Sequence, residues 1–291
     1  MTYGLDLPSE ERLTRWLDAA ARGGPLSLLT EDAGWRHRGP GAGGRPTALE
    51  GFDHGGPRIA VDPVDGTRNL MGDLRSAWTV IAYAPPGAGP PRLSEVTAGV
   101  LSEIPGSLAG AFRTFHARAG GRCELALRRV AGGEPIESRT LAADPADDRP
   151  DHGYLPFFRY DPAQRPSLAR IEAAFFARLA EREGADPLAC YDDQYISNGG
   201  QLALLGLGTY RMIADLRAFL AAREGEPATT SKPYDLAGAV LCARAAGCVL
   251  TDPEGGELDF PLDAHTPVSF VGYANAATRA RLEPHLRAVL G

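Results

Sequence analysis

Apolar positions recur at helical spacing in residues 9–22, where Leu13, Trp16, Leu17 and Ala20 share one face and Ser9 is placed to cap. Gly23-Gly24-Pro25 ends that helix. The run Leu26–Thr30 then reads as a short strand delivering Glu31, and the apolar residues 58–61 as a second strand delivering Asp62. Between them, Arg38–Gly44 reads as a flexible glycine-rich loop. Ser76–Tyr83 is rich in β-branched and aromatic residues, and residues 96–130 hold several further short strands separated by turn residues. The pattern predicts an antiparallel sheet with one or two helices.

The character changes at residues 133–165, which are rich in Pro, Asp and Gly. Beyond them Leu168, Ile171, Phe175 and Leu179 mark a helix over 167–183 with Ser167 as its cap. Gln201–Leu205 is predicted helical and Tyr210–Ala214 a strand. A helix runs from Asp235 to Gly247, which stops it, and a last helix spans about 276–289. Strands alternating with helices make this half α/β, so the chain divides into an α+β unit, 1–140, and an α/β unit, 141–291.

A chain of 291 residues has room for a substantial core and two subdomains. Its net charge of −7 argues against a nucleic-acid polymer as partner, because binding the phosphate backbone needs a basic face. No segment approaches the 18 consecutive apolar residues of a membrane span, and no leader pattern opens the chain. Cys123, Cys190, Cys242 and Cys248 show no C-x-x-C pairing, which suits buried free thiols and a cytoplasmic setting.

The candidate chemistry is concentrated in Val61-Asp62-Pro63-Val64-Asp65-Gly66-Thr67-Arg68-Asn69. Two carboxylates three residues apart at a strand end, separated by a φ-fixing Pro and followed by a turn-permitting Gly, can face one small space. With no basic partner they repel unless a proton or cation sits between them, and Mg²⁺ suits such oxygen donors. A calcium loop of the EF-hand type fails on spacing, since Val64, Gly66 and Asp73 fall where ligands at 3, 5 and 12 belong.

Asp62–Asn69 resembles the D-P-[IVL]-D-G-T-x-N signature of the inositol monophosphatase-like phosphatases. Lys232-Pro233-Tyr234-Asp235-Leu236-Ala237-Gly238 is similar to that family's downstream W-D-x-A-[AG], with Tyr for Trp. Residues 246–252 and Gly255-Gly256-Glu257-Leu258 resemble its next strand and turn. The upstream family Glu is matched by Glu31 in Leu29-Thr30-Glu31-Asp32, with Glu50 as the competing candidate. The region ahead of Glu31 is shorter than in the family, and the gap from Glu31 to Asp62 is longer.

The resemblance implies a layered α-β-α-β-α sandwich of the inositol monophosphatase/fructose-1,6-bisphosphatase type. It also implies a Mg²⁺-dependent, lithium-sensitive phosphomonoesterase using two or three ions, commonly a homodimer. Glu31, Asp62 and the Val64 carbonyl would hold one metal. Asp62, Asp65 and Asp235 would hold another, and Thr67 with Glu31 would activate water. Gly66 and Thr67 would cradle the phosphate. Asp192 or Asp193 would accept polyol hydroxyls, while Lys232, and less strongly Arg159, would reach a second phosphate. Inositol monophosphate is the default substrate; fructose 1,6-bisphosphate, a 3′-phosphoadenosine nucleotide and histidinol phosphate stay open. So does a catalytically weakened member that only binds phosphometabolites.

Overall fold

The computed structural model describes residues 6–184, 186 and 189–291. In chain order the first elements are α1 (Asp6–Ala20), β1 (Leu26–Thr30), β2 (Gly34–Pro40), β3 (Pro46–Ala48), β4 (Arg58–Asp65) and α2 (Thr67–Met71). Then come β5 (Ala77–Ala84), β6 (Ala98–Ile104), β7 (Ala111–Arg118), β8 (Cys123–Arg129) and β9 (Pro135–Leu141). The remainder is α3 (Arg165–Glu183), α4 (Asn198–Gly206), β10 (Met212–Asp215), α5 (Arg217–Glu224), α6 (Pro233–Ala245), β11 (Val249–Thr251), β12 (Phe270–Tyr273) and α7 (Ala276–Leu290).

Nine strands form one sheet in the order β3-β2-β1-β4-β5-β6-β7-β8-β9, and β10-β12-β11 form a second. Among the described residues, β1 and β4 are the only neighbouring strands that run parallel; the other pairs are antiparallel.

Side-chain alternation sorts the layers. Leu28, Val61 and the half-buried Ile59 and Ile81 pack against Leu13 and Leu17 of α1 on one face of the large sheet. Leu29, Ala60, Val80 and Ala82 face the other way, into a core shared with Leu202, Leu236, Ala239 and Val240 of α4 and α6. Ile213 and Phe270 of the small sheet join that same core from its far side. Met212, Ala214, Val271 and Tyr273 point outward, against Phe175 and Leu179 of α3 and Leu282 and Leu286 of α7. The result is an α-β-α-β-α sandwich, with α4 and α6 as its middle layer.

Several predicted boundaries differ for local reasons. Ser9 and Ser167 lie inside helices that start earlier, at Asp6 and Arg165. In α3 the early turn is set by Pro166, whose fixed φ suits the first helical positions. The predicted loop over Arg38–Gly44 is mostly paired: Leu26 is opposite Arg38, and Gly39 opposite Thr47. Only Ala42–Gly44 forms a short 3₁₀ turn. β9 was masked by its polar composition, which follows from six exposed positions on an edge strand. Among the described residues no helix is long and apolar enough to cross a membrane.

Candidate active site

The parallel pairing of β1 with β4 carries Glu31 and Asp62 to the same end of the large sheet. In a regular strand, residues three apart point to opposite faces. Asp62 and Asp65 escape this because β4 is bulged. Asp62 pairs with Val80 but Asp65 with Trp78, so three steps on β4 match two on β5. Val80 and Trp78 both face the middle layer, and the two acids follow them. The Thr79 hydroxyl donates to the Pro63 carbonyl at 2.9 Å and pins the bulge.

Gly66 makes the turn that follows. Its φ of +93° is left-handed, and a Cβ there would lie 2.9 Å from the Ile196 carbonyl. Asn69 Nδ2 donates to that same carbonyl at 2.7 Å, tying the start of α2 to the entry of α4. Asp235 arrives from the amino end of α6, where its Oδ1 accepts the Lys232 N–H at 3.0 Å and Pro233 opens the helix. Lys232 is thus the N-cap residue, and Asp235, third in the helix, reaches back to the cap's N–H with one oxygen.

Glu31, Asp62, Val64, Asp65, Gly66, Thr67, Lys232 and Asp235 all line one cavity of about 330 Å³. Glu50 is outside that lining. Asp192 and Asp193 also lie outside it: Asp192 pairs with Arg159, and Asp193 is bound by Arg75 and Tyr210 at 2.7 and 2.6 Å. Arg159 is spent on Asp192 and Glu172 and does not reach the cavity.

Further residues complete the site: Ser197, Asn198 and Gly199, from the segment ahead of Gln201 that the resemblance links to sugar or inositol contacts, with Asn198, Ser231, Asp215, Arg217 and Tyr234 in roles the sequence did not assign. Asp65 accepts from the Ser197 hydroxyl at 2.7 Å and from the Asn198 and Gly199 N–H groups at the start of α4. The Asn198 side chain hydrogen-bonds Asp235 and, through its Oδ1, contacts the Ser231 hydroxyl at 3.0 Å. Ser231 also lies 2.6 Å from Asp215 and 2.8 Å from Arg217, whose guanidinium grips the fully buried Asp215 through two nitrogens. Tyr234, in the position where the motif carries Trp, hydrogen-bonds Glu31. Apart from the local Asp215–Arg217 pair, these contacts have no signature within a single segment, because each joins parts of the chain distant in sequence.

The electrostatics follow from burial. Loss of water pushes the Asp62 and Asp235 carboxyls well above the ordinary carboxylate range, with Asp65 adding repulsion to each. Burial also raises Asp65, to about 6, against the opposing hydrogen bonds from Ser197, Gly199 and Asn198. Glu31 adds repulsion at both Asp62 and Asp65.

These acids form a hard, all-oxygen donor set with no basic group bonded to Asp62, so their chemistry fits divalent cations. Their present geometry does not yet clasp one. Among the described residues no three His, Cys, Asp or Glu side chains are gathered closely enough to hold a metal ion. Asp65 is bonded to α4, Asp235 to the Lys232 N–H and Glu31 to Tyr234.

An acid whose pKa is raised on folding stabilises the fold below its unfolded value and loses that contribution as pH rises through the folded value. For Asp65 the window runs from 3.8 to about 6 and corresponds to roughly 3 kcal/mol. Ion-paired acids such as Asp193 and Glu183 are shifted downward and act in the opposite sense. The clean readout is therefore the rise in melting temperature caused by Mg²⁺ over EDTA. It should be near zero at pH 4 and grow steadily toward pH 7; an increment independent of pH would contradict a carboxylate cation site.

No protein-family model matches the sequence, and no curated protein does. Solved structures do match. The extragenic suppressor protein suhB from Bartonella henselae superposes with a TM-score of 0.60 at 17% identity, over 98% of this chain and 84% of that one. A hypothetical protein from Pyrococcus horikoshii, described as having similarities for inositol-1 monophosphatase, gives 0.59 at 16% identity, again over 98% and 84%. An inositol monophosphatase-fructose 1,6 bisphosphatase gives 0.59 at 15% identity, over 96% and 82%. The chain therefore has the inositol monophosphatase-like fold.

Proposed function

We propose that this chain is a Mg²⁺-dependent phosphomonoesterase that hydrolyses a small phosphorylated metabolite, of the inositol phosphate or sugar and polyol phosphate class, with activated water as nucleophile. The observation that carries this reading is the convergence of Glu31, Asp62, Asp65 and Asp235 on one cavity, within a fold shared with a structure described as an inositol monophosphatase-fructose 1,6 bisphosphatase.

Glu31, Asp62, Asp65, Asp235 and the Val64 carbonyl are the groups that would hold the cations. Bound there, divalent ions supply a lowered pKa for the attacking water and charge stabilisation for the leaving oxygen. Thr67 gives its hydroxyl proton to the Val64 carbonyl at 2.9 Å, so what it offers a water is an acceptor oxygen. Glu31, exposed at the cavity edge, would take the proton from that water directly, since the Thr67 hydroxyl proton is committed to the Val64 carbonyl. The Gly66 and Thr67 N–H groups, where α2 begins, would bind the phosphate oxygens. Asn198 holds Asp235 from the side, and the bulge holds Asp62 and Asp65 on one face.

The hold of α4 on both Asp65 oxygens favours one second reading, a chain that binds phosphometabolites with little turnover. Phosphate release from a panel of inositol, sugar, nucleotide and histidinol phosphates separates the two. We expect release that requires Mg²⁺, is abolished by EDTA and is reduced by Li⁺. Mg²⁺-dependent binding of inorganic phosphate by folded protein, with no release from any ester, would establish the second reading.

A further inference from the structure

We infer that Ser231 is a positioning residue for the cation site: clamped by the buried Asp215–Arg217 pair, it aims the Asn198 amide at Asp235 and thereby sets the affinity for divalent ions. This rests on the reading of Asp235 as a cation ligand and adds the device that holds it ready.

A buried ion pair is weak evidence for stability, because desolvation offsets most of its attraction; such pairs are better attested as devices that fix one arrangement. Asp215 is fully buried and Arg217 is 4% exposed. Arg217 Nε and Nη2 donate to the two Asp215 oxygens at 2.8 and 2.6 Å. Its reach extends further: Nη1 donates to the Thr229 carbonyl at 2.7 Å, and Nη2 to the Ser231 hydroxyl at 2.8 Å. Asp215 ends β10, Arg217 opens α5, and Thr229 and Ser231 lead into α6. One guanidinium therefore closes the excursion that carries α5 and fixes where α6, with Asp235, begins. Phe158 covers this guanidinium at 4.5 Å and stacks on Tyr160 at 6.1 Å with 10° between the planes. Arg68 lies over Tyr160 at 5.2 Å and completes a ladder along the cavity.

Ser231 is 1% exposed, and its carbonyl accepts the Val268 N–H at 3.0 Å, so backbone and side chain are both held. Having accepted from Arg217, its hydroxyl has one proton to give. Two acceptors face it, Asp215 Oδ2 at 2.6 Å and Asn198 Oδ1 at 3.0 Å. Asn198 turns its carbonyl end to that hydroxyl and its N–H₂ end to Asp235. The direction matters, because an ionised carboxylate can only accept. Asn198 also donates its backbone N–H to Asp65 at 3.3 Å, so it touches two of the four acids.

Asp235 accepts the Lys232 N–H as well. Two donors from different elements thus hold its carboxylate against rotation, and a ligand held in advance loses less freedom when a cation binds. Without the Ser231 hydroxyl, Asn198 Oδ1 is left buried with no donor, and the amide turns from Asp235 to find one.

The test is a double-mutant cycle, read by calorimetric titration of the metal-free protein with Mg²⁺ in the absence of substrate. Asn198→Ala should weaken binding by about tenfold or more, since groups that orient metal ligands carry effects of that size. Ser231→Ala should weaken it by about fivefold, the worth of one hydrogen bond. Because Ser231 acts through Asn198, adding Ser231→Ala to Asn198→Ala should cost less than about twofold more. If Ser231→Ala also lowers the melting temperature in EDTA, the cycle still decides, because a purely structural loss acts equally with and without Asn198. An affinity of Ser231→Ala within about twofold of wild type, or losses that multiply in the double variant, would overturn the proposal.

The two readings fail separately. Mg²⁺ binding that follows this pattern, with no phosphate released from any ester, retains the positioning role and sinks the phosphatase reading. Mg²⁺-dependent release by the wild type, with Mg²⁺ affinity unmoved in Ser231→Ala, does the reverse.

Discussion

Asp235→Asn is expected to lower kcat by a factor on the order of 10³ or more, while making the metal-free protein more stable. The catalytic loss follows if Asp235 is one of few charged donors to the cations, since a neutral amide weakens a contact that matters most in the transition state. The stability gain follows from burial: Asp235 lies among acids that raise one another's pKa, and removing one charge relieves that repulsion. The amide oxygen of Asn can still accept the Lys232 N–H, so the helix cap survives. Opposite signs for activity and stability are what a functional charge cluster gives. The check is phosphate release with Mg²⁺ alongside thermal unfolding in EDTA at pH 7. Near-normal turnover would remove Asp235 from the metal set, and a lower melting temperature in EDTA would contradict the electrostatic account.

How far the chain could be read without coordinates depends on how local each determinant is. Leu26–Thr30 forms β1 as its run of apolar and β-branched residues predicts, and Glu31 leaves it at the cavity. The pattern D-P-V-D-G-T marks the turn because Gly66 supplies a conformation other residues resist. The bulge was not legible. It is defined by which β5 residue each acid faces, and pairing across strands leaves no local trace. The hairpin partners β2 and β3 were concealed by glycines and prolines, which are tolerated at the edge strand β3 and at the end of β2 that pairs with it. The ladder of Arg217, Phe158, Tyr160 and Arg68 draws on three separated segments, and only packing brings them into register. The acidic pair Asp192-Asp193 looked available for the opposite reason. Nothing nearby in sequence announces Arg75 or Tyr210, and Arg159 lies 33 residues away.

Gly238→Ala is expected to cost stability on the order of 3 kcal/mol or more, lowering the melting temperature by roughly 10 °C, and to reduce turnover as well. α6 lies directly on the large sheet at this residue. A Cβ on Gly238 would stand 2.1 Å from the Ile81 carbonyl oxygen and 2.6 Å from its carbon. From the other side, a Cβ on Gly99 would meet the Gly238 carbonyl at 2.4 Å. Both obstacles are backbone in β5 and α6, so no rotamer change relieves them; the helix must lift from the sheet. Leu236, Ala239 and Val240 leave their core positions when it does, and Asp235, less than one turn away, is carried from Asp62 and Asp65. Gly206→Ala is the matched control. It sits at the end of α4, where an added Cβ meets only the Ala246 methyl at 3.7 Å, and alanine is the better helix former. That variant should unfold at or slightly above the wild-type temperature. If Gly238→Ala also stays within about 2 °C of wild type, α6 is not seated on β5 as described, and the placement of Asp235 at the cavity loses its support.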